Sequence, residues 1–171
     1  MSPGLKELIS SELTVVCPVQ IGALELVIKD NQLCELSICQ RKTHSKKTPK
    51  INLPDGEISE FIVKQLQDYF SAAISFHNLP LAPAGTKYEK RVWNALCNIP
   101  RGETRTYGEI ARILNSSPRA VGNACRKNPI AIIIPCHRVV SACGLGGYAG
   151  KTKGKQPGIK RWLLRHEGVA V

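Results

Sequence analysis

No apolar stretch in the 171 residues approaches the run of about 20 that a membrane-spanning helix needs, so an integral helical membrane protein is not expected. The opening Met1-Ser2-Pro3-Gly4 lacks a basic segment followed by an apolar one, and a secretory signal is not expected either. No C-x-x-C pair occurs among the seven cysteines, Cys17, Cys34, Cys39, Cys97, Cys125, Cys136 and Cys143, and their number is odd. Together these features argue against a disulfide framework. Cys34, Cys39 and His44 come nearest to a metal-ligand group. Their spacing is poor and no second ligand pair follows, so no metal is expected. The chain reads as soluble and cytoplasmic, or nuclear in a eukaryotic cell.

Acidic residues are scarce in the second half. Residues 1–83 carry 8 Lys+Arg and 9 Asp+Glu, a net of −1, whereas residues 84–171 carry 16 and 4, a net of +12. A basic half attached to a neutral one suits a polyanionic partner; a solvated basic surface is the plainer reading. Hydrophobic residues make up 43%, enough for a folded core, and the length suits one ordinary domain or two small ones.

The fold class expected is α+β. Leu24, Leu26 and Ile28 alternate with Glu25 and Val27, Lys29 to Gln32 read as a turn, and Leu36 and Ile38 continue the alternation, completing a hairpin. Thr43 to Lys50 reads as a polar loop. Ile58, Phe61, Ile62, Leu66, Tyr69 and Phe70 share one helical stripe. The segment Asn78 to Gly85, with Pro80 and Pro83, is the natural boundary between a domain of residues 1–83 and one of residues 84–171.

The second domain reads as mostly helical. Thr86 to Glu89 and Thr106 to Glu109 both have the S/T-x-x-E form of a capping box. The first opens a helix through Val92, Trp93 and Leu96, the second a helix with Tyr107, Ile110, Ala111 and Leu114 on one face. Ser117 and Pro118 suit the start of a third, burying Val121, Ala124 and Cys125. Two short helices joined by a tight polar turn in a basic region resemble a helix-turn-helix, with a plain helical hairpin as the alternative. Ile130 to Ile134 reads as a buried strand. After the Gly-rich loop and the basic, flexible stretch Lys151 to Gly158, a last helix runs through Ile159, Trp162 and Leu163 to a stop at Gly168.

Cys136 stands apart from the other cysteines because His137 and Arg138 follow it. A cation and an imidazole favour the thiolate, the reactive form. Cys97, Cys125 and Cys143 read as inert core filler. In an extended segment adjacent side chains point to opposite faces, so His137 needs either a turn or a bridging water to reach the sulfur. Glu167 is the best partner for His137, since a carboxylate at a helix C-terminus opposes the dipole and suits a role; the competing reading is a solvated Glu beside Arg165.

Ile134-Pro135-Cys136-His137-Arg138-Val139, preceded by Asn128-Pro129, resembles the O6-alkylguanine-DNA alkyltransferase family. Thr106 to Ala111, Arg119 to Gly122, Gly147 to Gly150 and Trp162 to Gly168 extend the resemblance over about residues 84 to 168. It implies single-turnover, irreversible transfer of an alkyl group from O6 of guanine in double-stranded DNA to Cys136, after the nucleotide is flipped out. His137 would act as base through a water, Glu167 would orient it, and Asn128 would order the active-site turn. Tyr107 would contact a phosphate or donate a proton. Arg119 would fill the space left by the base, with Ala120 and Gly122 at the DNA surface. Val139, Tyr148, Ala149 and Gly150 would line the guanine pocket. The resemblance further implies minor-groove binding without sequence preference, a monomer, a ribonuclease-H-like first domain, and no cofactor. Relative to the family, Lys151 to Gly158 is long and Ala149 replaces a hydroxyl residue found in some members. O4-alkylthymine activity and alkyl range stay open. A Cys-His hydrolase and a non-catalytic lesion binder are the alternatives.

Overall fold

A computed structural model describes residues 11–16, 21–39, 57–72, 74–152 and 154–171. The Thr43 to Lys50 loop, Cys17 and His44 lie outside the described residues. The chain order is three strands, β1 (Ser11–Val16), β2 (Ala23–Lys29) and β3 (Gln32–Cys39), then helices α1 (Glu57–Ala72) and α2 (Lys87–Cys97). A short strand β4 (Arg105–Thr106), helices α3 (Tyr107–Ile113) and α4 (Pro118–Arg126), strand β5 (Val139–Val140) and helix α5 (Lys155–His166) complete it. It is a mixed α and β architecture. Among the described residues no helix is long and apolar enough to cross a membrane.

The β2–β3 hairpin forms where expected. Asp30 and Asn31 take φ of 48° and 59°, the left-handed pair that lets a two-residue turn match the twist of its strands. Leu24 and Leu26 are buried by the alternation, and Leu33 and Leu36, three residues apart, are both buried across a register shift between Val27 and Ile28. Strand β1, which the alternation pattern did not reveal, pairs antiparallel with β2. The outer edge of β3 is covered by loops. Leu33 exchanges backbone hydrogen bonds with Pro80 and Ala82, and Leu36 with Pro129 and Ala131. Covering the edge blocks unwanted pairing, and it also fixes the chain entering the Cys136 turn.

Both capping boxes are present, at Thr86/Glu89 and Thr106/Glu109, and Ser117 caps α4 ahead of Pro118. Val92, Trp93 and Leu96 are buried on α2, and Val121, Ala124 and Cys125 on α4. The indole of Trp93 donates to the carbonyl of Ala124 at 3.0 Å, tying the two helices. On α1, Ile62, Leu66 and Tyr69 are buried as the stripe requires, but Phe61 is 37% exposed and Val63 takes an inward place. One apolar cluster runs from Ile21 in the first half to Leu163 in the second.

Two segments differ from expectation. Residues 130–134 are not a strand. They form a chain of turns with a single bridge, Ile130 to Leu36, and Ile132 adopts φ of 72°. The apolar run is buried as a strand would be, but its polar backbone is satisfied locally. Ile133 bonds to Ala131, Ile134 to Ile130, and the Asn128 side chain spans the loop. The stretch Lys151 to Gly158 is not wholly loop, since α5 starts at Lys155. Pro157 fits inside its first turn, where a missing N–H costs nothing.

Candidate functional site

Cys136 sits at the start of a 3₁₀ turn, Cys136–Arg138, that follows the 130–134 loop. The chain therefore turns at Cys136 rather than running on extended. Asn128 builds the approach: its Oδ1 accepts from the Ile130 amide at 3.0 Å, and its Nδ2 donates to the Ile134 carbonyl at 2.8 Å and to Cys136 Sγ at 3.3 Å. One amide side chain therefore closes the loop and aims a donor at the sulfur.

Behind the thiol lies a buried charged cluster. His137 Nε2 is 2.9 Å from Glu167 Oε1. Arg138 clamps the same carboxylate, Nε to Oε2 at 2.8 Å and one Nη to Oε1 at 2.9 Å, while its other Nη donates to the Ile99 carbonyl at 2.7 Å. Tyr69 of α1 donates its hydroxyl to Glu167 Oε1 at 2.8 Å. Glu167 is the C-cap of α5 and 3% exposed, so the reading of it as a solvated surface residue is overturned. Burial opposes its charge, but hydrogen bonds from His137 and Arg138 outweigh that and hold it well below the usual carboxylate range.

Since Glu167 is an acceptor only, His137 donates from Nε2 and leaves Nδ1 as an acceptor. That nitrogen is buried and meets no hydrogen-bond partner among the described residues. Burial pushes the imidazole pKa down, Glu167 pulling the other way, so the ring is neutral near pH 7. Burial also pushes the Cys136 thiol up, against the Asn128 bond and the Lys160 charge, so the sulfur rests protonated and needs a base. The cation acting on Cys136 is thus Lys160 rather than Arg138, whose guanidinium is committed to Glu167 and Ile99.

Lys160 is fully buried on α5 and reaches the Val139 carbonyl at 2.6 Å and the Gly147 carbonyl at 3.0 Å. Its ammonium lies 5.8 Å from the Tyr107 ring centroid. Burial lowers its pKa to about 8, with Cys136 and Cys125 working the other way.

The sulfur opens onto a cavity of ≈ 190 Å³ whose walls include Tyr107, Gly122, Tyr148, Ala149 and Gly150. Ala149 and Gly150 make a tight left-handed turn, φ 47° and 76°, closed by paired hydrogen bonds between Tyr148 and Lys151. A side chain at Gly150 would be strained by its φ of 76°, and a Cβ there, 2.6 Å from Arg126 Cδ, would push the exposed Arg126 side chain aside. The Tyr148 hydroxyl is buried and has no partner among the described residues. Burial raises Tyr107 to about 12, so its phenol stays protonated.

The structure brings Cys136, His137, Glu167 and Asn128 together, with Tyr107, Gly122, Tyr148, Ala149 and Gly150 around the opening. Val139 does not line the cavity; it is buried, with its carbonyl held by Lys160. Arg119 is exposed and Ala120 half-buried at the start of α4, outside the cavity. Cys97 and Cys143 are exposed rather than core filler, while Cys125 is buried and faces the cavity. Tyr69 and Lys160 carry roles that the residue-by-residue reading missed. The signal for Lys160 was available: it shares a helical face with Leu163, Leu164 and Glu167, and a cation on that face calls for acceptors.

Residues 87–169 match the family described as 6-O-methylguanine DNA methyltransferase, DNA binding domain. The chain is 49% identical over 127 residues to a methylated-DNA--protein-cysteine methyltransferase of Methanosarcina acetivorans, covering 70% of this chain and 78% of that protein. A protein of the same name from Mycolicibacterium paratuberculosis is 40% identical over 139 residues, covering 80% and 83%. Mycobacterium tuberculosis O6-methylguanine methyltransferase superposes with a TM-score of 0.72 at 36% identity over 93% of both chains. The crystal structure of that organism's OGT in complex with DNA gives 0.70 at 37% identity over 90% of both.

Proposed function

Because the chain belongs to the methylated-DNA--protein-cysteine methyltransferase family, and so repairs DNA by direct alkyl transfer to its own cysteine, we propose that Cys136 is the acceptor and His137 its base. The observation that carries the assignment is the sulfur at the cavity with a buried imidazole–carboxylate pair behind it.

The steps balance as follows. The Cys136 proton passes through a bridging water to His137 Nδ1, whose Nε2–H stays on Glu167 and stabilises the imidazolium. The sulfur attacks the alkyl carbon in line, the carbon–O6 bond breaks, and guanine departs with the bonding pair. Tyr107, protonated at neutral pH, contacts the flanking phosphate or neutralises the leaving base by donating its hydroxyl proton. Asn128 holds the sulfur on its trajectory and orders the turn. The thioether product resists water and thiols, so each molecule acts once.

A base within a duplex cannot reach a buried sulfur, so the nucleotide must flip, at a cost of a few kcal/mol. In this reading α3 and α4 are a helix-turn-helix set in the minor groove, binding without sequence preference as a monomer. The half-buried Ala120 and Gly122 permit close approach and Arg119 occupies the gap left by the base. Tyr148, Ala149 and Gly150 hold the guanine, with the Tyr148 hydroxyl free to bond it, and Val139 supports that wall. Residues 1–83 form a ribonuclease-H-like support, and residues 84–171 the acceptor domain.

Incubation with radio-methylated duplex tests the assignment. One label per protein, lost in Cys136→Ala, is the expected result. Label released to solvent over many turnovers points to a hydrolase, and binding without label to a lesion binder; either overturns it.

A further inference from the structure

We infer that Tyr69, in the first half of the chain, is a positioning residue for the transfer: it holds the Glu167 carboxylate that holds His137. The inference rests on the reading of Cys136, His137 and Glu167 given above and extends the site across the two halves.

Tyr69 joins α1 to the end of α5 at two points. Its hydroxyl donates to Glu167 Oε1 at 2.8 Å, and its backbone carbonyl accepts from His166 Nε2 at 2.7 Å. The ring is fully buried, stacked on Phe76 at 4.9 Å and edge-on to Phe70 at 5.2 Å and to His166 at 5.2 Å. A tyrosine buried this way would be replaceable by phenylalanine if packing were its whole task. The hydroxyl instead ends on the same oxygen that meets His137 Nε2.

That oxygen takes three contacts, from Tyr69, His137 and one Arg138 nitrogen. Each donor withdraws part of the negative charge that would otherwise stabilise the imidazolium. Tyr69 and Arg138 therefore set how strongly Glu167 raises the basicity of His137. They also fix the carboxylate, and with it the ring whose Nδ1 is left as the acceptor. Burial, followed by the Glu167 charge and hydrogen bond, raises the Tyr69 pKa far beyond its ordinary value, so the group is always a donor and never a competing anion. The other groups facing this cluster are Lys160 of α5, which lowers His137 basicity, and Tyr148, which acts weakly on Tyr69. Neither takes the place of the Tyr69 hydroxyl on Oε1.

The test is the transfer rate from a methylated duplex as a function of pH, for the full chain and for Tyr69→Phe. Removing the donor leaves more charge on Glu167 for His137, so the acidic limb of the profile moves upward by about half a pH unit. A uniform slowing with an unmoved limb, or a superimposable profile, overturns the inference and leaves Cys136 as acceptor untouched. Failure of the unsubstituted chain to transfer at all overturns the reading of the site, and the inference with it. Should Tyr69→Phe not fold, 3-fluorotyrosine at position 69 keeps the ring and strengthens the donor. The limb must then move downward, and an unmoved limb again overturns the inference.

Discussion

Asn128 shows how much one side chain can decide. It satisfies the backbone of a buried apolar loop at two points and touches the sulfur with a third bond. Asn128→Ala leaves buried polar groups unpaired, at a cost of about 1–3 kcal/mol. We expect chemical denaturation to show that loss, together with a larger fall in transfer rate than stability alone explains. Glu167 is more exacting, since Glu167→Ala strands the Arg138 guanidinium in the core. A broken buried pair costs about 3–5 kcal/mol, so thermal melting should show severe destabilisation.

Glu167 and His137 set the response to acid. The folded pKa of Glu167 lies below its ordinary 4.5, so its contribution is full above that value and is lost as pH falls. His137 is held below its ordinary 6.5, so the unfolded chain takes the proton first and stability falls as pH drops through that value. Both effects act in one direction. The melting temperature should decline steadily from neutral pH into the acid range, and Glu167→Gln should flatten the decline below pH 5. A melting temperature constant over that range would contradict the cluster's charge states.

Among the elements, caps and turns carry most of what local pattern reveals. The two S/T-x-x-E boxes, the Ser117-Pro118 start and the Asp30-Asn31 turn follow from hydrogen bonding within a few residues, and all four stand in the structure. Thr106→Ala removes the cap of α3, the helix that carries Tyr107, and should cost about 1 kcal/mol, lowering the melting temperature by about 2–4 °C. Contacts distant in sequence are where pattern fails. An uninterrupted apolar run such as residues 130–134 reads as a strand because periodicity says only that it is buried. Its path depends on the side chain of Asn128 and the edge of β3. Tyr69 belongs to an ordinary apolar stripe, and nothing local announces that its hydroxyl meets a carboxylate 98 residues away. Cys136, His137, Glu167 and the Gly147 to Gly150 turn were legible because their chemistry is concentrated in short motifs. Lys160 was legible only as a cation on the inner face of α5, because its acceptors, Val139 and Gly147, lie on other segments.

Across the whole molecule, charge is divided by half, and the second half spends its few acids internally. Glu89 pairs with Lys127 and caps α2, Glu103 pairs with Arg105, Glu109 caps α3, and Glu167 holds His137 and Arg138. The cations of that half therefore face outward largely unneutralised, which suits a phosphate backbone. Affinity for undamaged duplex should fall about tenfold or more between 50 and 200 mM salt, as a titration by fluorescence anisotropy would show. Arg119→Ala should slow transfer from duplex DNA far more than transfer from free O6-benzylguanine, because only the duplex requires a nucleotide to be turned out.

The most direct measurement is intact mass followed by peptide mapping after the protein meets one equivalent of duplex carrying O6-methylguanine. The account predicts that each molecule exchanges one hydrogen for one methyl group, on the peptide containing Cys136, and that the guanine is restored. A protein of unchanged mass, or a methyl group on Cys125 or any other residue, would contradict it.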